Sequence, residues 1–219
     1  MSWTRLAFGL LARSSGCARL LFGGRFQGLP PGDRYFDATT WALKCVLAGK
    51  VQEGARVLEI GTGPHATLAR WLSAERGCEV VTTEVEQESA LRARQRLERA
   101  GLPVEVRTGA HFADVPEPLD VVVFNPPYVP SAVGEARGLS ERFRAQWDGG
   151  PEGTTVIAEF LDELGARSTG ARVFLGVNGR HVSREQVAGL LAQRPNLVLL
   201  AVTRPRLLGV DVYQLRRAD

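Results

Sequence analysis

The sequence predicts an α/β domain whose mostly parallel sheet is covered by helices on both faces. Three observations predict it. From about residue 38 onward, segments with helical apolar periodicity alternate with short strand-like apolar runs, the pattern of a parallel sheet with helices on each side. The last two strand-like runs, 197–202 and 210–215, have no helix between them and are expected to pair antiparallel. A chain of 219 residues, 44% hydrophobic and 23% charged, has the length and composition of one ordinary globular domain.

The elements follow in order. A helix is expected from about Thr39, with Trp41, Ala42, Cys45 and Val46 as one buried stripe. Arg56-Val57-Leu58-Glu59-Ile60 reads as a short buried strand running into glycines. A helix over about 65–76 and a strand over 79–83 come next, then a helix with Ala90, Ala93, Leu97 and Ala100 on one face, closed by Gly101. Strands are expected at 104–106 and 119–124, followed by a long loop over 126–152. A helix over 155–164 then buries Val156, Ile157, Phe160, Leu161 and Leu164, and leads to a strand over 171–175. Ser183 and Gln186 form a capping box with Val182 and Val187 as its staple, so another helix begins there.

The net charge of +3 sits in the first 32 residues, where Arg5, Arg13, Arg19 and Arg25 are accompanied by no acid. The rest of the chain is close to neutral, which weakens the hint of a nucleic-acid partner. The chain therefore divides into an N-terminal arm, 1–35, and a domain, 36–219. The arm reads either as a transit peptide or as an apolar collar or hairpin made by Leu20-Leu21-Phe22 and Arg25-Phe26 before a turn at Pro30-Pro31-Gly32. Cys17, Cys45 and Cys78 have no metal-ligand or disulfide spacing, so neither a metal nor a disulfide framework is expected, and the cytoplasm is the default compartment. The apolar stretch 6–12 is too short to span a membrane.

Glu59-Ile60-Gly61-Thr62-Gly63 lies at the carboxyl end of the first strand, where open α/β sheets bind ligands. Gly61 and Gly63 let backbone approach a small molecule, and Glu84, one residue beyond the second strand, suits the hydroxyls of a ribose. The same glycines also fit a dinucleotide fingerprint. Glu59 decides between them: a carboxylate beside the first glycine repels a pyrophosphate but suits the ammonium and sulfonium of S-adenosyl-L-methionine.

Asn125-Pro126-Pro127-Tyr128 closes the strand 119–124. A planar amino nitrogen is a poor nucleophile because its lone pair is delocalised. The Asn125 side-chain oxygen and the Pro126 carbonyl can accept its two N–H groups and stabilise the charge that develops on attack. Pro126 and Pro127 stiffen the backbone that presents those acceptors, and Tyr128 offers a stacking face worth about 1–3 kcal/mol if the acceptor is a nucleobase. Asn125, Pro126 and Tyr128 are thus the candidate catalytic residues. Pro127 and Tyr128 are expected to contact substrate, and Glu59, Gly61, Gly63, Glu84 and Asn125 the cofactor.

With these motifs in place, residues 36–215 resemble class I methyltransferases, and within them the HemK-like N-methyltransferases. The resemblance rests on Leu58-Glu59-Ile60-Gly61-Thr62-Gly63, Glu84, Asp120, Asn125-Pro126-Pro127-Tyr128, the loop Gly149-Gly150-Pro151-Glu152-Gly153, and Thr40 where the family often has a threonine facing the site. It implies a Rossmann-like seven-stranded sheet in the order 3-2-1-4-5-7-6 with strand 7 antiparallel. It also implies methyl transfer from S-adenosyl-L-methionine to a planar amide or exocyclic amino nitrogen, in a protein Gln or Lys side chain or in a nucleobase of RNA or DNA. The chain departs from the pattern at His65, where a third glycine is usual, and at Gly109, near where an aspartate often meets the adenine amino group. Asp37 and Asp148 are candidates for the site mouth, whereas His111 and His181 lie in loops without a partnered carboxylate by spacing. A small-molecule N-methyltransferase and a non-catalytic binding module that keeps the fold are the competing readings.

Overall fold

The computed structural model describes residues 3–24, 26, 34–167, 169–205 and 209–218. Its centre is a seven-stranded sheet made of β1 (Arg56–Ile60), β2 (Glu79–Glu84), β3 (Glu105–Thr108), β4 (Val121–Phe124), β5 (Arg172–Asn178), β6 (Leu197–Thr203) and β7 (Val210–Arg217). The order is β3-β2-β1-β4-β5-β7-β6, and β7 runs antiparallel to both neighbours. This is the Rossmann-like methyltransferase order that the resemblance implies.

Successive strand residues point to opposite faces, which sorts the sheet's apolar side chains into two cores. Val57, Val121, Val123 and Phe174 face the helices α3 (Ala38–Leu47), α4 (Thr67–Arg76) and α5 (Gln87–Arg99). Leu58, Val122, Phe124, Val173 and Leu175 face α7 (Thr155–Ala166) and α8 (Arg184–Ala192). The capping box of Ser183 and Gln186 starts α8, with Val182 and Val187 both buried beside it. Gly101 closes α5: its N–H donates to the Glu98 carbonyl, and the Leu102 N–H donates to that of Leu97.

Several expectations need correction. The buried face of α3 is Thr39, Ala42, Leu43, Val46 and Leu47, while Cys45 is exposed. The face is rotated because α3 packs where β5 carries Gly176, a position at which a Cβ would lie 2.5 Å from Thr39 Cγ2 and 3.1 Å from Leu43. Ala100 caps α5 and is exposed rather than part of its buried face, and Val156 is only half-buried. The expected loop over 126–152 contains the helix α6 (Ser131–Ala136) and a 3-10 turn, Glu141–Gln146.

The arm forms two helices, α1 (Trp3–Leu11) and α2 (Ser15–Phe22), in place of a hairpin. Ser14 caps α2, accepting from the Cys17 N–H. Phe22 is buried against Phe36 and Trp41, with ring centroids at 5.0 and 6.0 Å. The Tyr35 N–H donates to the Ala12 carbonyl, and the Thr67 hydroxyl donates to the Tyr35 carbonyl, so the segment entering α3 is stitched to both the arm and α4. Leu20 is exposed, and Arg25 and the Pro30-Pro31-Gly32 turn lie outside the described residues. No helix among the described residues is long and apolar enough to cross a membrane.

Because the α3–β5 contact leaves no room for a side chain at position 176, Gly176→Ala is expected to destabilise the fold by about 1–3 kcal/mol through overpacking. A fall in thermal midpoint without change in far-ultraviolet circular dichroism is the expected result, and an unchanged midpoint would refute the packing argument.

Candidate active site

The parallel register of β1 and β4 pairs Ile60 with Phe124. The next residues, Gly61 and Asn125, therefore leave the sheet side by side, with the Cβ position of Gly61 only 3.8 Å from the Phe124 ring. On the β1 side, Gly61 and Gly63 both have positive φ, +68° and +64°, and the side-chain position of Gly63 faces open space. A chain with Cβ atoms at these positions would be strained in this turn.

Two buried carboxylates hold the turn. The Gly63 N–H donates to Glu84 Oε2 at 2.8 Å, and the Glu86 N–H donates to Glu84 Oε1 at 3.0 Å. The Val85 backbone also donates to this carboxylate, which with about four lone-pair positions still has capacity to accept a hydroxyl. Glu59 lies beneath the turn, where its Oε2 accepts from the Thr62 hydroxyl at 2.8 Å and its carboxylate also accepts from the Ala69 backbone in α4. Burial pushes the Glu59 carboxyl up to about 7 against those hydrogen bonds, with nearby Glu84 adding to the rise, and burial raises Glu84 as well. Two desolvated carboxylates this close to one another favour the arrival of a cation. That chemistry fits a cofactor bearing an ammonium and a sulfonium, with Glu84 able to hold its ribose and the open flank of Gly63 leaving room for its body.

The departures from the resemblance have local reasons. A Cβ on Gly109, where φ is +154°, would meet the Ala113 Cβ at 2.6 Å, so no aspartate fits there. His65 is buried edge-on to Tyr35, at 5.4 Å between centroids.

On the β4 side, α3 supplies a socket for the clamp. Asp37 caps α3 by accepting from the Thr40 N–H at 2.7 Å. Adjacent threonines then each meet one clamp residue: Thr39 Oγ1 lies 2.6 Å from the Tyr128 hydroxyl, and Thr40 Oγ1 accepts from Asn125 Nδ2 at 3.4 Å. Asn125 Nδ2 also faces Asp37 Oδ1 and Oδ2, each at 3.3 Å. Asn125 Oδ1 is buried with no hydrogen-bond partner among the described residues. Pro126 is buried and Pro127 half-buried. Burial, with the Asp37 charge beside it, holds the Tyr128 hydroxyl far above the ordinary tyrosine range, so it stays protonated.

The segment after the clamp folds back on it. The Val129 N–H donates to the Trp147 carbonyl and the Gly149 N–H to that of Val129. A Cβ on Gly149 would sit 2.7 Å from Tyr128 Cα, and one on Gly153 would strike the Tyr128 carbonyl oxygen. The glycines of 149–153 thus allow backbone to lie directly on the tyrosine. Asp148 is taken up by Ser131, Arg144 and the Gly150 N–H. The tip of this returning segment reaches across to the start of α5, where Gln146 Nε2 donates to Glu86 Oε2 at 3.0 Å and to Ser89 Oγ at 3.2 Å.

Sequence reasoning missed two partners. His111 Nδ1 pairs with Glu163 Oε2 at 3.0 Å, a carboxylate from α7 that spacing did not reveal. The ring of His181 lies over that of Tyr128 at 6.0 Å and 28°, and burial, with Arg137 and Arg180 nearby, lowers its pKa.

The methyltransferase small domain model matches residues 33–145, more than half of the chain and the stretch that holds both the glycine turn and the clamp. The chain belongs to the methyltransferase small domain family. That family is one of S-adenosylmethionine-dependent methyltransferases. A release factor glutamine methyltransferase of Gloeobacter violaceus is 32% identical over 116 residues, 49% of this chain and 40% of that protein. A protein-L-isoaspartate O-methyltransferase of the same organism is 42% identical over 79 residues, 35% of this chain and 38% of that protein. The chain thus spans well under half the length of these relatives. A crystal structure of a methyltransferase from Pyrococcus furiosus matches with a TM-score of 0.66 over 96% of both chains at 21% identity, a likeness of fold alone.

Glu59 generates a pH-dependent prediction. Its folded pKa lies above its unfolded value, so its contribution to stability is fully present below the ordinary glutamate range and is lost as pH rises through about 7. Glu59→Gln keeps an acceptor for Thr62 and removes the buried charge. Thermal melts should show the variant more stable than the parent at pH 8, by on the order of 3 kcal/mol, and nearly equal to it at pH 5. Equal shifts at both pH values would contradict the buried-charge assignment.

Proposed function

We propose that this methyltransferase acts on a planar amide or exocyclic amino nitrogen held by Asn125, Pro126 and Tyr128. The observation that carries the reading is the Asn125 amide. A carboxylate only accepts hydrogen bonds, so the amide turns its Nδ2 toward Asp37 and Thr40. The buried Oδ1 is left as an acceptor in need of an N–H donor.

A planar NH₂ group satisfies that need with one N–H and gives the other to the Pro126 carbonyl. Held by two acceptors, the nitrogen turns its lone pair out of conjugation, and the acceptors stabilise the positive charge it gains. Tyr128, its hydroxyl engaged with Thr39, serves as a fixed wall against the planar group. The cofactor, held by Gly61, Gly63 and Glu84 with Glu59 beneath them, supplies the electrophilic methyl group. The nitrogen's surplus proton then passes to solvent, and the geometry demands no strong base. In this reading 36–219 is the catalytic unit, and the arm 1–35 braces it through Tyr35 and Phe22.

Kinship with release factor glutamine methyltransferases makes a protein glutamine amide the first acceptor to test. The protein is incubated with tritiated S-adenosylmethionine and separated protein, RNA, DNA and metabolite fractions. Label in the protein fraction, released as N-methylglutamine on enzymatic digestion, is the expected result. Label on an oxygen or a sulfur would reject the reading. Asn125→Ala is expected to retain calorimetric binding of S-adenosylmethionine through Gly61, Gly63 and Glu84 while lowering methyl transfer at least about a hundredfold. Undiminished transfer would mean that the clamp is misassigned.

A further inference from the structure

We infer that Asp37 is the positioning residue of the clamp, orienting and polarising the Asn125 amide for the transition state. The inference rests on the N-methyl transfer proposed above. Its basis is the set of donors and acceptors that meet at one carboxylate. Asp37 Oδ1 accepts from the Thr40 N–H at 2.7 Å and from the Thr40 hydroxyl at 2.9 Å. The Thr40 hydroxyl has thereby committed its proton, so toward Asn125 it presents a lone pair, and Nδ2 donates to it at 3.4 Å. Nδ2 also lies 3.3 Å from each carboxylate oxygen, between the two. All three hydrogen-bond partners of Nδ2 among the described residues are therefore acceptors. Turning the amide over would set its oxygen against three oxygens, one of them committed as a donor elsewhere and two sharing a negative charge.

Such an arrangement does more than orient. The chain from carboxylate through amide to acceptor nitrogen is a series of hydrogen bonds in which each polarises the next, so the Asp37 charge strengthens Oδ1 as an acceptor. The benefit grows as the acceptor nitrogen becomes positive, which places it in the transition state and not in ground-state binding. The two contacts are 88 residues apart in the chain, and the α3 cap brings them together.

Asp37 also caps α3, so its removal must be separated from loss of the helix start. Asp37→Ser keeps a capping oxygen for the Thr40 N–H and removes the carboxylate. Asp37→Asn keeps the cap and an oxygen that can face Nδ2 but removes the charge. The assay uses tritiated S-adenosylmethionine and a synthetic peptide with one internal glutamine as probe, beside two-dimensional NMR of the Asn125 side-chain amide, assigned from Asn125→Ala.

The serine variant is expected to lose ten- to a hundredfold in kcat at unchanged KM for the peptide and unchanged cofactor affinity, with the asparagine variant intermediate. The Asn125 side-chain N–H pair, slow to exchange in the parent, should exchange rapidly in Asp37→Ser. An unchanged kcat, a loss carried by KM alone, or an Asn125 amide that stays protected in the serine variant would overturn the assignment. If Asn125→Ala abolishes transfer while Asp37→Ser does not, the positioning role fails and the methyl-transfer reading stands. If Asn125→Ala transfers normally, the underlying reading itself fails.

Discussion

The parallel pairing of β1 with β4 is the constraint on which the rest of this molecule depends. Ile60 opposite Phe124 brings the end of a glycine turn and the start of a clamp to the same sheet edge, although they are separated by more than a quarter of the chain. A register slip of one residue would turn Val122 and Phe124 into the opposite core, which the packing of α7 against those side chains forbids. The pairing of two short strands buried on both faces thus sets the two halves of the site side by side.

Much of this was legible in the sequence, for reasons that differ element by element. The first strand, 56–60, was read to the residue because its apolar run ends abruptly in glycine. The capping box at Ser183 was also readable, since both partners lie within one helical turn. The rotated face of α3 was not. It is decided by Gly176 on a strand more than a hundred residues away, and helical periodicity alone fits two neighbouring faces equally well. The helix and 3-10 turn inside 126–152 escaped because six-residue elements carry too little periodicity. They are held by tertiary packing, with Trp147 lying where Gly134 leaves space for its ring.

The site was legible as motifs and illegible as a network. Gly61, Gly63, Glu84 and Asn125 announce themselves by their places at strand ends. The contacts that give them orientation come from distant segments: Asp37 is 88 residues from Asn125, and Glu163 is 52 from His111. Glu59 shows a different gap. Its sequence position says nothing of its partners, which the structure shows to be Thr62 and the first turn of α4. Its charge acts from below the turn, where burial also makes that charge expensive to keep.

The seam between β1 and β4 has one more consequence, for how such a protein diversifies. On one side lie 59–84, with the glycine turn and its two buried carboxylates; on the other lie 37–40 and 125–153, with the Asp37 cap and the Asn125–Tyr128 segment. The two sets draw on separate helices and on opposite halves of the sheet, and Gln146 reaches past the first set to Glu86 and Ser89. On the proposed reading, drift in 125–153 retargets the enzyme while the methyl donor's berth stays intact, and lineages that share this architecture are free to inherit one half and reinvent the other.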